Sequence, residues 1–569
     1  MTASCDQDDV SSMKAAGGKG RALAMDSPRT LLSVLVRLED AYGWRLLGIL
    51  AFAQWVVKGV VWGFTVTAMD FLLRDYAVPG PKMQVYKAIA MLPWAMKPLF
   101  GLLSDYFPIM GYRKAPYIII VTLVAVAAYS TIGLTAFKGL PVKGAVLCLI
   151  FGCMQASVVD LLTEARYAEK IRERPESGPD LMTYVWGGIT VGNLFATGSV
   201  GFIIEHWGSA AVYSIIALPA ATMLVPTCLG WLEESPMCAQ EAGTVRSRLW
   251  EQKELVVLVL LTGTATIALV LVGLLQDSVF VNLAVALVAS VIVISAFLVL
   301  LRPIISLMNC FFFIQTCCAV DISGASFYFF TNDSVQYPDG PHFSRMFFAS
   351  GLGVCVSALN LVGMYLYNRY MQHWRYHGMF IFANTLLCLI HLASLMVYTR
   401  SNVALGLPDE FFVLGAWGAV GVASMWMWLP GVVLLSHLCP SGVEATMYAL
   451  LAGCHNLGLS VASYLGACLL ETLEVAPRGA PAEQKEFENL WVAGLVSAVL
   501  PMLTMLLLPW MIPDARQTES LLKPGSSAIA GSPWQRWTGG LEEDDPGGDV
   551  ASAAGVAAAA GAAPHYGSA

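Results

Sequence analysis

Long runs of apolar residues, separated by short polar or charged segments, dominate this sequence. A bilayer core about 30 Å thick is crossed by about 20 helical residues, and runs of that size recur between charged or Pro/Gly-rich breaks. The pattern therefore predicts an all-α polytopic membrane protein. We count about fourteen membrane helices, at 46–72, 84–103, 116–136, 144–163, 181–204, 209–231, 255–276, 279–301, 304–330, 344–366, 379–399, 411–437, 444–470 and 489–512.

Composition supports a membrane protein. Of the 569 residues, 57% are hydrophobic and 13% are charged, whereas soluble domains have roughly 25% charged residues. The formal net charge of -8 gives no indication of a nucleic-acid partner. Most of the 13 cysteines lie in apolar runs, where cysteine behaves as a small hydrophobe, so we expect no disulfide and no metal. A nucleotide-binding Gly-rich loop is also missing from the sequence, which disfavours ATP-driven pumping, enzymatic activity and a cofactor.

Basic residues accumulate in alternate loops, and this asymmetry predicts the orientation. Lys and Arg in short loops stay on the cytoplasmic side. Both termini are therefore predicted to be cytoplasmic, and the plasma membrane is the expected location. The loops that we place inside carry Arg113, Lys114, Arg166, Lys170, Arg172, Arg174, Arg246, Arg248, Lys253, Arg302, Arg369 and Arg375.

The segment PWAMKPLFGLLSDYFPIMGYRKAPY, at residues 93–117, carries a recognisable loop motif. Gly101 and Asp105 have Gly-x-x-x-Asp spacing, and Gly111 is followed by Arg113 and Lys114. This spacing resembles the inner-loop motif of the major facilitator superfamily. The resemblance implies that the acid and the bases latch neighbouring helices in the outward-facing state.

Three further blocks narrow the resemblance. They are DLLTEARYAEKIRERPESGPDLMTYVWGG at 160–188, GASFYFFTND at 324–333 and CPSGVEATMYALLAGCHNLG at 439–458. With the 93–117 segment, they resemble the folate-biopterin transporter family over nearly all of residues 46–512. The resemblance implies uptake of folate or unconjugated pteridines, driven by protons, by a monomer in the lipid bilayer.

The superfamily core has six plus six helices, which implies an organisation for this chain. The two nearly uncharged runs between the halves become an inserted, peripheral hairpin. We expect a cytoplasmic N-terminal segment with an interfacial helix at 1–45 and a six-helix bundle at 46–231. A cytoplasmic linker with the hairpin follows at 232–303, then a second six-helix bundle at 304–512 and a disordered cytoplasmic tail at 513–569.

Lys58 and Asp321 are the charges that lie deepest in the predicted bilayer. An ionisable group there costs at least about 2.5–3.5 kcal/mol on insertion scales, so each implies a partner or a water-filled cavity. The two helices are equivalent by the pseudo-symmetry of the fold. We therefore hypothesise that Lys58 and Asp321 pair in the empty carrier, with Lys58 binding a substrate carboxylate and Asp321 contacting the pterin or carrying the coupling proton. A structural ion pair is the alternative.

Other charged and aromatic positions complete the candidate site. Asp160 and Glu164 lie one helical turn apart with Arg166 just beyond, which predicts a latch at the cytoplasmic ends of the helices, away from the substrate. The ring of Trp186 could stack on a pterin. The family resemblance adds Lys97, Asp105, Asp160, Glu164, Arg166 and Glu444 as charges needed for transport. We include Lys97, Glu444 and Asn456 among the substrate-binding candidates, and Arg113 among the gating and coupling candidates.

Two other functions are compatible with the sequence. Some members of the resembled family carry S-adenosylmethionine. Its positive charge would favour more carboxylates and fewer lysines around the cavity, so the presence of Lys58 and Lys97 weighs against this substrate. A receptor or scaffold that does not transport is the other alternative, although it would more naturally show a large soluble domain and degraded loop motifs.

Overall fold

The computed structural model describes residues 31–237, 243–244, 247, 252–439, 444–519, 521–522 and 527–538. These residues form helices α1 to α18: Leu31–Tyr42, Trp44–Asp75, Gly80–Met91, Lys97–Tyr106, Ala115–Thr135, Val142–Glu173, Gly178–Trp207, Ser209–Cys228, Lys253–Leu275, Val279–Leu300, Pro303–Cys318, Ser323–Thr331, Phe347–Met371, Tyr376–Tyr398, Asp409–His437, Glu444–Thr472, Gln484–Met511 and Pro533–Thr538. The described chain is all-α, as the sequence predicts.

Twelve segments of the described residues, one of them α11 and α12 together, are long and apolar enough to cross a bilayer. The two remaining predicted runs, 84–103 and 444–470, fall on α3–α4 and on α16. The α3–α4 segment is interrupted at 92–96, next to Pro93 and Pro98, because proline lacks the N–H that a continuous helix needs. The count of fourteen therefore stays a prediction.

The hairpin of α9 and α10 packs against α3, α4 and α16. Close contact depends on small residues: a Cβ on Gly273 would lie 2.3 Å from Ile89. The most apolar part of α10 is only 28% buried, so most of its surface is left for lipid. In the turn of the hairpin, the Lys143 ammonium lies 3.0 Å from the Asp277 carboxylate and lowers its pKa.

The residues that follow α17 pack against the end of α13 and the start of α14, whereas the sequence predicts a disordered tail from residue 513. The backbone N–H of Tyr376 donates to Ala515 O (3.0 Å), and Arg375 pairs with Asp514 at 2.5 Å. The amide of Gln517 is buried and donates to Met371 O at 3.1 Å. Residues 539–569 of the predicted tail lie outside the described residues.

The helix predicted at 304–330 is broken between α11 and α12, and Asp321 lies in the break. Backbone groups freed inside a membrane need other partners. Asp321 Oδ1 accepts the N–H of Ser323 (2.8 Å), and Oδ2 accepts the hydroxyl of Ser463 (3.1 Å). The buried amide of Gln84 on α3 donates to Asp321 O (2.7 Å) and accepts the N–H of Gly324 (3.1 Å). Gln84 of α3 thus supplies hydrogen bonds to backbone groups that the break leaves without a helical partner.

Bonds between the first half (44–228) and the second half (303–511) concentrate at one end of the bundle, which we call the Arg74 end. Arg74 donates to Thr331 O at 2.9 Å, and Tyr328 donates to Val78 O at 2.7 Å. At the opposite end, the Arg113 end, the pairs Arg113–Asp105, Lys114–Glu169 and Arg375–Asp514 each stay within one half or its adjoining segment. The structure is therefore closed at the Arg74 end.

Gln84→Leu should loosen this closure, because it removes the side-chain bonds that join α3 to the broken helix. Ser326→Cys places a near-isosteric thiol at a buried position of α12. We expect a membrane-impermeant maleimide to label that thiol severalfold faster when Gln84→Leu is present. The same change at exposed Gln372 is the control. Equal labelling in the Gln84→Leu and control proteins would show that Gln84 does not hold the closure.

Candidate functional site

Three buried or half-buried charges from three helices meet near the middle of the first half. The side chain of Asp160 on α6 is 2% exposed. Lys58 Nζ on α2 lies 2.8 Å from Oδ1, and Lys97 Nζ at the start of α4 lies 2.5 Å from Oδ2. Burying a charge is costly unless it is paired. One carboxylate here holds two ammonium groups, so the tight cluster has an excess of one positive charge.

The local structure of α2 presents its side chains to this carboxylate. Residues 51–61 form π-helical turns, a conformation often found at functional sites. Gln54, in these turns, donates to Asp160 Oδ1 (3.1 Å) and to Thr163 Oγ1 (3.0 Å). Glycines let α7 approach closely, since a Cβ on Gly192 would lie 2.4 Å from Trp55 O. The position of Asp160 is therefore fixed by hydrogen bonds as well as by charge.

Glu164 and two tryptophans surround the lysines. Glu164 Oε2 lies 3.8 Å from Lys97 Nζ, and its side chain is 40% exposed, so this pair is longer and more accessible than the pairs with Asp160. The ring of Trp94 is 4.8 Å from Lys97 Nζ and 5.9 Å from Lys58 Nζ. The ring of Trp186 is 5.2 Å from Lys58 Nζ and 52% exposed. Both rings present π-faces that attract cations.

The hypothesis that Lys58 pairs with Asp321 is wrong. Lys58 pairs with Asp160, and the Asp321 carboxylate caps α12 and binds Ser463. The prediction that Asp160 belongs to a latch at the helix ends is also wrong, because α2 and α6 are both 32 residues long and place Lys58 and Asp160 at matching depth. The apolar run predicted at 144–163 stops ten residues before α6 ends, which wrongly placed Asp160 near a helix end. Hydrophobic patterning also does not give the direction in which each helix faces.

Asp105, Arg113 and Arg166 lie nearer the Arg113 end. Arg113 is 3.7 Å from Asp105, and Arg166 binds Glu169 at 3.1 Å. Asn456 on α16 donates to Trp94 O at 3.3 Å, which joins the second half to the lysine site. Glu444 begins α16, but its side chain lies outside the described residues. The structure therefore separates the predicted set into a central lysine site and a peripheral group of ion pairs.

Several contributing residues were missed by sequence reasoning. Glu234 accepts the N–H groups of Arg113 (2.7 Å), Lys114 (3.0 Å) and Ala115 (3.1 Å), and so caps α5. A carboxylate is favoured there by the helix dipole. Near the Arg74 end, Lys87 pairs with Asp70 at 2.7 Å. The position of Lys87 inside a predicted membrane run was a signal that could have identified it. Within the described residues, no cluster of His, Cys, Asp and Glu is arranged to hold a metal ion.

Comparison with known families decides the class of this protein. The model of the BT1 family matches residues 58–529. The chain belongs to the BT1 family. The family resemblance inferred from the sequence is confirmed, and the chain is an integral membrane protein of a transporter family, not an enzyme.

Curated relatives of this BT1 family protein are similar along most of their length. A probable folate-biopterin transporter 6 from Arabidopsis thaliana is 23% identical over 473 residues, which cover 82% of this chain and 83% of the relative. A folate-biopterin transporter from Synechocystis is 25% identical over 495 residues and 86% of each chain. Folate transporter 2 from Plasmodium falciparum is 20% identical over 456 residues, 80% of this chain and 85% of the relative.

Solved structures show the fold of the BT1 family protein. A peptide transporter POT in complex with sulfate has a TM-score of 0.57 at 13% identity, covering 83% of this chain and 98% of that one. A POT family transporter in complex with 5-aminolevulinic acid has a TM-score of 0.54 at 13% identity, covering 83% and 98%. The predicted major-facilitator fold is confirmed, apart from the count of fourteen helices.

Asp160→Asn should strongly destabilise the BT1 family protein, because it leaves Lys58 and Lys97 without their shared counter-ion. Breaking a buried ion pair costs about 3–5 kcal/mol. Adding Lys97→Met removes one uncompensated charge and should recover part of the loss. Thermal unfolding of the purified protein in detergent measures both effects.

Glu173→Gln is the matched control for the loss of a carboxylate, since Glu173 is 59% exposed and pairs with Lys170 only at the surface. Exposed pairs contribute about 1 kcal/mol or less, so we expect little change. A double variant no more stable than Asp160→Asn alone would show that charge balance does not determine the stability of this cluster.

Proposed function

We propose that this protein is a secondary active transporter that takes up folate or related pteridines by alternating access, driven by protons. The names of its relatives support the substrate class. Closure at the Arg74 end supports alternating access, because a carrier has to block one side of the membrane while the other side is open. We also propose that the protein is a monomer in the plasma membrane with both termini in the cytoplasm.

The observation that carries this proposal is the pair of lysines around one buried carboxylate. Folate carries a glutamate tail with two carboxylates and a flat, uncharged pterin ring. A tail carboxylate can displace the partly buried Glu164, whose pair with Lys97 is the longest of the site, and bind Lys58 on its other side, since both ammonium groups already contact Asp160. Asp160 stays in place, and the excess positive charge of the tight cluster is neutralised by the substrate.

The same exchange offers a route to proton coupling. A carboxylate that loses its cation in a poorly solvated site favours the protonated form. Glu164 is placed for this role, because the substrate competes with it for Lys97. The earlier assignment of the proton to Asp321 loses support, since both of its carboxylate oxygens accept hydrogen bonds at the helix break. We therefore assign the coupling proton to Glu164, and the peripheral ion pairs of Asp105, Arg113 and Arg166 to the conformational change.

Two aromatic rings favour this assignment over a site for a simple anion. Trp94 and Trp186 lie beside the ammonium groups that would bind the carboxylates. The exposed face of Trp186 can stack on the p-aminobenzoyl ring next to the glutamate. S-adenosylmethionine, the alternative substrate, carries a sulfonium charge that the two lysines would repel.

Uptake of labelled folate, biopterin and S-adenosylmethionine into cells that express the chain tests the proposal. We expect uptake of folate and biopterin, with folate uptake rising at acidic external pH. Lys58→Ala should weaken the apparent affinity for folate by roughly tenfold, or about 1.4 kcal/mol, and should change biopterin little, because biopterin has no carboxylate. Lys58→Arg should keep most of the affinity for folate.

Lys138→Ala is the control for the loss of a lysine, since Lys138 is exposed near the Arg74 end. Surface expression is measured in the same cells. The carboxylate assignment is wrong if Lys58→Ala weakens folate and biopterin equally. Uptake of S-adenosylmethionine alone would replace the proposed substrate class.

A further inference from the structure

One face of α16 is left open along the middle of the protein. Most residues of this helix are packed against α3, α10 and α11. Residues at helical spacing on the remaining face stay half-buried or exposed, and Leu459 among them is 49% exposed. The members of this open face are Tyr448, Ala452, His455, Asn456, Leu459 and Ser463. Four of the six are polar, which is unusual for the surface of a membrane helix unless it faces water or a ligand.

The open face lies between the lysine site and the closed end. Asn456 donates to Trp94 O, and the ring of Trp94 lies against both lysines. Further along the helix, Ser463 donates to the carboxylate of Asp321 in the helix break. The face is therefore connected to the lysine site through Asn456 and Trp94, on the side that the second half contributes.

His455 is the residue of this face with unused hydrogen-bonding capacity. Its Nδ1 lies 3.0 Å from the hydroxyl of Thr316 on α11, and Thr316 is itself buried. Within the described part of the chain, Nε2 has no hydrogen-bond partner. Because His455 is only partly buried, this second nitrogen is accessible to a ligand.

An aromatic surface accompanies this nitrogen. The ring of Trp428 on α15 lies 5.5 Å from the imidazole of His455, at an angle of 48°. Trp428 is 47% exposed although it lies within a membrane helix. An exposed indole beside a hydrogen-bonding imidazole is suited to a flat heterocycle that carries N–H groups and ring nitrogens along its edge.

We propose that His455, Asn456 and Trp428 form the subsite for the heterocyclic end of the substrate, with the carboxylates bound by Lys58 and Lys97 in the first half. This assignment rests on the proposed function and adds to it a division of labour between the halves. Nε2 of His455 and the amide of Asn456 bind the edge of the pterin, and Trp428 stacks on its face. The first half then recognises the charge, and the second half recognises the ring.

The test separates the two ends of the substrate. Competition against labelled folate, with the purified protein, is measured for folate, for biopterin, which has the ring without the tail, and for p-aminobenzoylglutamate, which has the tail without the ring. His455→Leu should weaken biopterin about tenfold and leave p-aminobenzoylglutamate within twofold or threefold. Trp428→Leu should do the same, and it provides a second variant if loss of the Thr316 contact impairs folding.

His391→Leu is the matched control, because His391 lies on α14, a helix that packs mainly against α15 and α17. It should leave all three competitors unchanged. Equal weakening of biopterin and p-aminobenzoylglutamate by His455→Leu and Trp428→Leu, or no weakening of biopterin, overturns the subsite. If the wild-type protein binds none of the three compounds, the proposed function itself is wrong and the subsite with it.

Discussion

The ion pairs of the buried Asp160 carboxylate with Lys58 and Lys97 hold the centre of the first half together. They tie α2, α4 and α6 together at a depth where an unpaired charge would be costly. The π-helical turns of α2 present Gln54 to the same carboxylate. Because two ammonium groups share one buried carboxylate, the site has residual attraction for an anion without any exposed basic surface.

The second constraint is the broken helix α11–α12 at the closed end. Its freed backbone groups are satisfied in part by Gln84 from the other half, so the closed state is stabilised by bonds that opening has to break. The lysine site and the closure are joined along α16, which contacts Trp94 through Asn456 and Asp321 through Ser463. A ligand that binds along this face would contact both halves, as alternating access requires.

The sequence predicted the membrane helices well, because a run of about 20 apolar residues in a bilayer has few alternatives to a helix. It also identified Lys58 and Lys97 as important, since charge within an apolar run is a strong signal. The pairing with Asp321 failed because depth along a helix does not determine its rotation, and because the break at Asp321 changes what that carboxylate does. Gln54 and Gln84 were missed because a neutral amide in an apolar run resembles an ordinary polar substitution. Only the three-dimensional contacts reveal the hydrogen-bond partners of these two amides.

A structure of this protein with bound folate would show where the substrate carboxylates bind. We expect a glutamate carboxylate of folate within hydrogen-bond distance, roughly 2.7–3.2 Å, of Lys58 Nζ and Lys97 Nζ, with Asp160 still in place and Glu164 displaced from Lys97. Folate carboxylates bound elsewhere, with the Lys97–Glu164 pair intact, would contradict this assignment.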